Sequence, residues 1–132
     1  MSDWAKKDEW WRRGKNFLVV VKHHTVGLSD IDPCDGGHRW NVYAFIYPDH
    51  PHFAAFKGPD MWQAAACALP LHGGPTFLQY PMFDGKVTAV HVGCDYHHLH
   101  DDRFTRMATK EDAVKVFADA DTLFNWLQER AK

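Results

Sequence analysis

Apolar and polar positions along this chain predict strands first and helices second. Residues 17–24 are β-branched and apolar and predict a well-buried strand. The aromatic, β-prone run 38–47 predicts another, stopped by Pro48-Asp49-His50-Pro51. Residues 76–80 and 86–94 flank a turn signal at Asp84-Gly85 and read as an antiparallel hairpin. Leu123, Trp126 and Leu127 fall at i, i+3, i+4 and predict a helix from Asp121 to Arg130. Just before it, 113–118 fits either a helix entered through Thr109 and Asp112 or an edge strand. Residues 61–69 are Ala-rich, follow Asp60 as a cap and end at Pro70, so a short helix is expected. Residues 4–13 also read as a short helix, with Trp4, Asp8 and Trp11 on one face and Gly14 at its end. Residues 28–37 read as a loop. Together these elements predict an α+β fold, a small antiparallel sheet of three to five strands with helices packed on one side, including a carboxy-terminal one.

Composition narrows the class. With 132 residues, 45% apolar and 14% aromatic, one domain can build its own core, with residues 1–35 as an amino-terminal extension. There is no apolar run of membrane-spanning length, and Met1-Ser2-Asp3-Trp4-Ala5-Lys6-Lys7 carries charge where a signal peptide needs an apolar stretch. A soluble, cytoplasmic protein without membrane contact is expected. Cys34, Cys67 and Cys94 are odd in number and lack C-x-x-C spacing, which points to reduced thiols. The net charge of -2 is unevenly spread. Residues 25–103 hold four Lys/Arg against nine Asp/Glu, and most of the histidines. An acidic middle disfavours duplex nucleic acid and favours cations, small molecules or a protein partner.

The run Val92-Gly93-Cys94-Asp95-Tyr96-His97-His98-Leu99-His100-Asp101-Asp102 places three histidines and three aspartates after a predicted strand, a composition no packing argument requires. Imidazole and carboxylate are what a divalent cation takes from a protein, and what acid–base chemistry near neutral pH uses. Two further His/Gly segments, Gly36-Gly37-His38 and His72-Gly73-Gly74-Pro75-Thr76, also bracket predicted strands. Adjacent histidines on a strand point to opposite faces, so at most one each of His23/His24 and His97/His98 can serve a site.

Gly37-His38, then Pro48 with His50-Pro51, then His72-Gly73-Gly74-Pro75-Thr76-Phe77, then Gly93-Cys94-Asp95-Tyr96-His97-His98-Leu99-His100-Asp101 occur in that order. Together they resemble a family of small uncharacterised proteins encoded mainly by bacteriophages. The family pattern is similar to G-H, H-P, H-G-G-x-T-[FY] and G-[FW]-D-x-x-H-x-x-D ahead of a carboxy-terminal helix. The resemblance covers residues 36 to 130 and implies a phage origin, a location in the cytoplasm of an infected bacterium, and a shared site. Its matching positions are His38, His50, His72, Gly73, Gly74, Thr76, Gly93, Asp95, His98 and Asp101. Cys94 stands where the family carries an aromatic, and His100 where glycine is frequent.

Three readings of the site stay open. In the first, His72, Asp95, His98 and Asp101 hold zinc or manganese and leave a position for water, with Gly73, Gly74, Thr76, His38 and His50 binding ligand. In the second, His72 and His98 act as a metal-free acid–base pair oriented by Asp95; a Cys94 nucleophile is a minor variant. In the third, the same groups hydrogen-bond loop backbone and only hold the fold. The first two lead to hydrolysis of a nucleotide-like or phosphorylated small molecule. The alternative function is a non-catalytic phage protein that inhibits a host or defence protein, or sequesters a signalling nucleotide, through exposed aromatics such as Trp10, Trp11, Trp40 or Trp62.

Overall fold

The computed structural model describes residues 7–27, 36–98 and 101–131. Seven strands form in chain order: β1 (Lys7–Gly14), β2 (Phe17–Thr25), β3 (His38–Ile46), β4 (Phe77–Gln79), β5 (Met82–Phe83), β6 (Lys86–Val87) and β7 (Val90–Asp95). Two helices, α1 (Ala64–Cys67) and α2 (Val114–Arg130), and 3-10 turns at Pro51–Ala55 and Asp102–Arg106 complete the described elements. Five strands make one antiparallel sheet in the order β1-β2-β3-β7-β4, while β5 and β6 pair separately. The fold is α+β, as the pattern of the chain predicts.

One face of the sheet carries the main core. Register aligns Phe17, Ile46 and Val90 across three strands, then Val19, Ala44 and Val92, then Val21, Val42 and Cys94, all buried. Helix α2 covers this face with Val116, Ala120, Leu123, Phe124 and Leu127, the stripe that a 3.6-residue period generates. The ambiguous segment 113–118 is therefore the first turn and a half of α2. Thr109 Oγ1 accepts Asp112 N–H at 3.2 Å and Asp112 Oδ2 accepts Ala108 N–H at 3.3 Å, so that pair closes the turn leading into the helix.

Three expectations need correction. Residues 7–14 are a strand, not part of a helix over 4–13; residues 4–6 lie outside the described ones. Trp10 stacks on Trp40 at 5.7 Å and meets Phe117 edge-on at 5.2 Å, contacts that only a strand beside β2 allows. Tertiary packing overrides the local helical pattern. The helix expected over 61–69 shrinks to four residues, because Gln63 ties its amide to Gly58 O and Asp60 O and so holds the preceding loop. Asp60 caps the turn at Trp62 N–H (2.9 Å) rather than the helix. Finally, β4 does pair with β7, Phe77 opposite Gly93, but the Asp84-Gly85 turn belongs to the β5-β6 ladder inserted between them. Among the described residues no helix is long and apolar enough to cross a membrane.

Candidate functional site

Three segments converge at one end of the sheet: the turn after α1 carrying His72, the end of β7 carrying Asp95, and the turn through His98 and Asp101. Pro70 ends the α1 region, and Gly74 N–H donates to Leu71 O at 3.0 Å, so the chain reverses at His72-Gly73. Gly73 and Gly74 hold φ of 70° and 87°, where a side chain is disfavoured. At Gly73 there is a second reason. A Cβ there would sit 2.9 Å from His98 Cε1 and 3.0 Å from Nε2.

Asp101 is tied to the His98 backbone twice. Asp101 N–H donates to His98 O at 2.9 Å, while Asp101 Oδ2 accepts His98 N–H at 3.0 Å. The same carboxylate lies 3.0 Å from His98 Nδ1 and 2.9 and 3.0 Å from His72 Nε2. Asp101 stands at the start of the 3-10 turn Asp102–Arg106, yet its side chain does not cap that turn; it faces the two imidazoles instead. Asp101 is buried, and burial alone would raise its pKa. The His98 backbone N–H and the two histidine side chains outweigh that, and the carboxyl titrates below its usual range.

Hydrogen-bond accounting then fixes what is left over. If Nε2 of His72 and Nδ1 of His98 carry the donated protons, His98 Nε2 bears a lone pair. That atom is enclosed and has no hydrogen-bond partner. Asp95 Oδ1 lies 3.5 Å from it, on a side chain that is 43% exposed. His72, His98 and Asp101 each offer one ligand atom, all within 4.8 Å of one another, so this cluster could hold a metal ion. A cation there would take the place of two N–H protons, each neutral ring then carrying its proton on its other nitrogen.

Tyr96 positions this group from beneath. Its ring stacks on His72 at 4.4 Å with planes 10° apart. Its hydroxyl donates to Asp119 Oδ2 on α2 at 2.6 Å, and Lys115 Nζ approaches the other oxygen at 2.6 Å. Burial and this acidic partner keep the phenol protonated. Sequence reasoning passes over Tyr96 and Asp119, although Lys115 and Asp119 at i, i+4 are a visible signal.

The structure thus brings together His72, His98 and Asp101, with Asp95 at their margin; Asp101, rather than Asp95, is the carboxylate that lies against both imidazoles. Thr76 is nearby but engaged with backbone, its Oγ1 accepting Asp95 N–H at 3.2 Å. Gly74 packs against Trp62. His50 is placed elsewhere: it is buried, Nε2–H donates to Leu127 O at 2.9 Å, and Nδ1 accepts His52 N–H at 3.0 Å. His38 too lies apart, in a row that sequence reasoning missed. Asp8 Oδ2 is 3.2 Å from His23 Nδ1, and His23 Nε2 is 2.9 Å from His38 Nδ1. Cys94 is buried, which pushes its thiol up to about 12 and leaves it protonated, unsuited to nucleophilic attack. His100 and Cys34 lie outside the described residues.

The roomier clefts lie away from this cluster. The largest, about 440 Å³, runs between β1 and α2 along Trp10, Val19, Val21 and Phe117. His72 and His98 retain 22% and 31% side-chain exposure, so an ion or a small group reaches them from the surface without a deep pocket. Comparison with known proteins finds no family model, no curated protein and no solved structure that matches the chain.

Proposed function

We propose that the chain is a metal-assisted hydrolase of phosphorylated or nucleotide-like small molecules, with His72, His98 and Asp101 as the ligands of a zinc or manganese ion. The observation that carries this reading is one buried carboxylate shared by two imidazoles, beside an enclosed ring nitrogen that has no hydrogen-bond partner and faces a second carboxylate, Asp95, at 3.5 Å. Three protein ligands leave open positions, and a divalent cation in such a site supplies Lewis acidity and water that ionises near neutral pH. Asp95, half-exposed beside His98, is placed to take a proton from the solvent side. Zinc suits the two imidazoles and manganese the carboxylate.

Elemental analysis of untagged protein prepared without chelator tests it, together with titration of zinc and manganese into stripped protein. About one ion per chain is expected by the ligand count, with phosphatase activity on small phosphoesters that disappears in His98→Ala while circular dichroism is unchanged. Failure to take up either ion after stripping and titration defeats the proposal.

A second reading rests on the surface. Of the tryptophans expected at the surface, Trp40 is buried and Trp10 packs on it against the core, whereas Trp11 and Trp62 are each 62% exposed and Phe83 is 76% exposed. In this reading the chain, in line with its phage-like pattern, is a non-catalytic accessory protein of an infected cell that binds a host or defence protein or sequesters a nucleotide. Native mass spectrometry separates the two: retained nucleotide without turnover favours sequestration, and metal with turnover favours the hydrolase.

A further inference from the structure

Strand β1 is an outer strand of the five-stranded sheet, and hydrogen bonds on the far side of β2 show which of its groups face outward. Val26 N–H donates to Gly37 O at 2.9 Å and Tyr47 N–H to Asn16 O at 3.0 Å. Both extend the β2 to β3 register, so even-numbered residues of β2 bond to β3 and odd-numbered ones to β1. The β1 to β2 register pairs odd with even numbers, so Asp8, Trp10 and Arg12 bond inward. Glu9, Trp11 and Arg13 point N–H and C=O away from the sheet. Among the described residues these outward groups have no backbone partner.

Natural edge strands are guarded by proline, by bulges or by charge that repels a second copy. Strand β1 has no proline, and its register runs unbroken from Lys7 to Gly14. Its charge is self-complementary: Asp8-Glu9 precede Trp10-Trp11, and Arg12-Arg13 follow. We infer that β1 pairs with β1 of a second copy of this chain, antiparallel about a two-fold axis perpendicular to the sheet, so that two sheets become one.

That symmetry keeps core faces together, so directly opposed residues must share a face, odd with odd and even with even. Centring the register on Trp11 sets Trp11 opposite Trp11 and, at both ends, Glu9 opposite Arg13. On the core face it sets Trp10 opposite Arg12, a ring beside a guanidinium. Lys7 falls opposite Lys15, past the end of the strand. Centring on Trp10 instead sets Lys7 opposite Arg13 and leaves Glu9 opposite Trp11. Centring on Glu9 or on Arg12 brings like charges face to face. The Trp10 register also pairs Asp8 with Arg12 but sets Lys7 against Arg13; the Trp11 register opposes no like charges within the strand, and it buries the ring that is 62% exposed. Beside that ring, Leu18 and Val20 floor a cleft of about 320 Å³ that offers the paired tryptophans apolar surface.

Sedimentation velocity of the untagged full chain across the micromolar range is the test. A reversible dimer is expected. Glu9→Arg sets arginine opposite Arg13 twice and raises the dissociation constant on the order of thirtyfold, as two cross-strand pairs turn from attraction to repulsion. Adding Arg13→Glu restores the dimer, which a folding defect would not do. Trp11→Cys in a Cys67→Ser background forms an intermolecular disulfide absent from the parent, because opposed Cα atoms in a hydrogen-bonded pair lie about 5.5 Å apart. Arg12→Cys does not. A chain that stays monomeric overturns the inference. So does a dimer insensitive to the charge swap, or one in which Trp11→Cys fails to cross-link.

Discussion

Replacing Gly73 by alanine tests the geometry of the histidine cluster without touching any ionisable group. Two costs add. The first is backbone: Gly73 sits at φ 70°, and an L residue in the left-handed region loses roughly 1–2 kcal/mol. The second is steric, since the new Cβ meets His98 Cε1 at 2.9 Å, Nε2 at 3.0 Å and Nδ1 at 3.2 Å. A free side chain would swing away, but His98 is fixed by its backbone N–H and Nδ1 on Asp101, each at 3.0 Å. Overpacking against a held group costs about 1–3 kcal/mol, so the total is about 2–5 kcal/mol. Gly85 supplies the control. It has φ 78° and nothing within 4 Å of its virtual Cβ, so Gly85→Ala bears only the backbone cost. Urea denaturation of both variants should differ by the steric part. In a His98→Ala background the two should converge, because the obstructing ring is gone. Equal losses for Gly73→Ala and Gly85→Ala, within about 0.5 kcal/mol, would show that His98 does not lie under the glycine turn and would refute the site as described.

Other substitutions separate the site from its supports. Asp101→Ala leaves two imidazoles and a backbone N–H without their acceptor and should cost about 2–4 kcal/mol by denaturation, with metal uptake abolished in calorimetry; undiminished uptake would remove Asp101 from the ligand set. His50→Ala should cost a similar ~2–4 kcal/mol, since it strips a partner from Leu127 O under α2, yet leave metal affinity unchanged; a loss of affinity at full folding would return His50 to the site. Stacked on Phe45 at 4.0 Å and edge-on to Phe77 at 4.7 Å, His91 has its pKa lowered to about 4, first by burial and then by Lys22. A histidine depressed in the fold stabilises it in the neutral form, fully above the unfolded value near 6.5, with the contribution lost as pH falls from there through about 4. After allowance for solvent around a partly exposed ring, the loss is roughly 1–2 kcal/mol. His91→Phe should flatten stability against pH in that window, and an unchanged slope would assign the slope to other groups.

The central strands were legible because their residues say the same thing at every level. Phe17 to Val21 are apolar, β-branched after the first two, and buried on both faces. The stripe of α2 was legible by its period. Strand β1 was not, because Asp-Glu-Trp-Trp-Arg-Arg satisfies a helical face as well as an alternating one, and only Trp40 and Phe117, distant in sequence, decide between them. Within the candidate site, spacing pointed to Asp95, His98 and Asp101, and the Gly-Gly turn and the resemblance added His72. Spacing could not rank the two aspartates, since each lies three residues from His98. The hydrogen bond from Asp101 N–H to His98 O makes the difference, holding the second carboxylate against both rings. His50 entered through the resemblance alone, and the 3-10 turn that follows places it where both ring nitrogens bond backbone, one of them to α2. The Asp8, His23 and His38 row has no local signature, being assembled by register across three strands.

What distinguishes a site from a support among these histidines is the fate of each ring nitrogen. Both nitrogens of His50 are spent on backbone, and both of His23 on Asp8 and His38. Each of those rings ties strands or turns together and has nothing further to offer a ligand. Among the described residues, His91 and His98 keep an enclosed nitrogen without a partner. Around His91 the neighbours are aromatic rings and Lys22, so its environment holds imidazole neutral and repels a cation; packing explains it. Around His98 the neighbours are two carboxylates and a second imidazole, an arrangement that packing does not require and that attracts positive charge. A ring nitrogen without a hydrogen bond points to a ligand only where the charges around it favour one, and by that criterion His98, with Asp101 behind it and His72 beside it, is the histidine on which the proposed site rests.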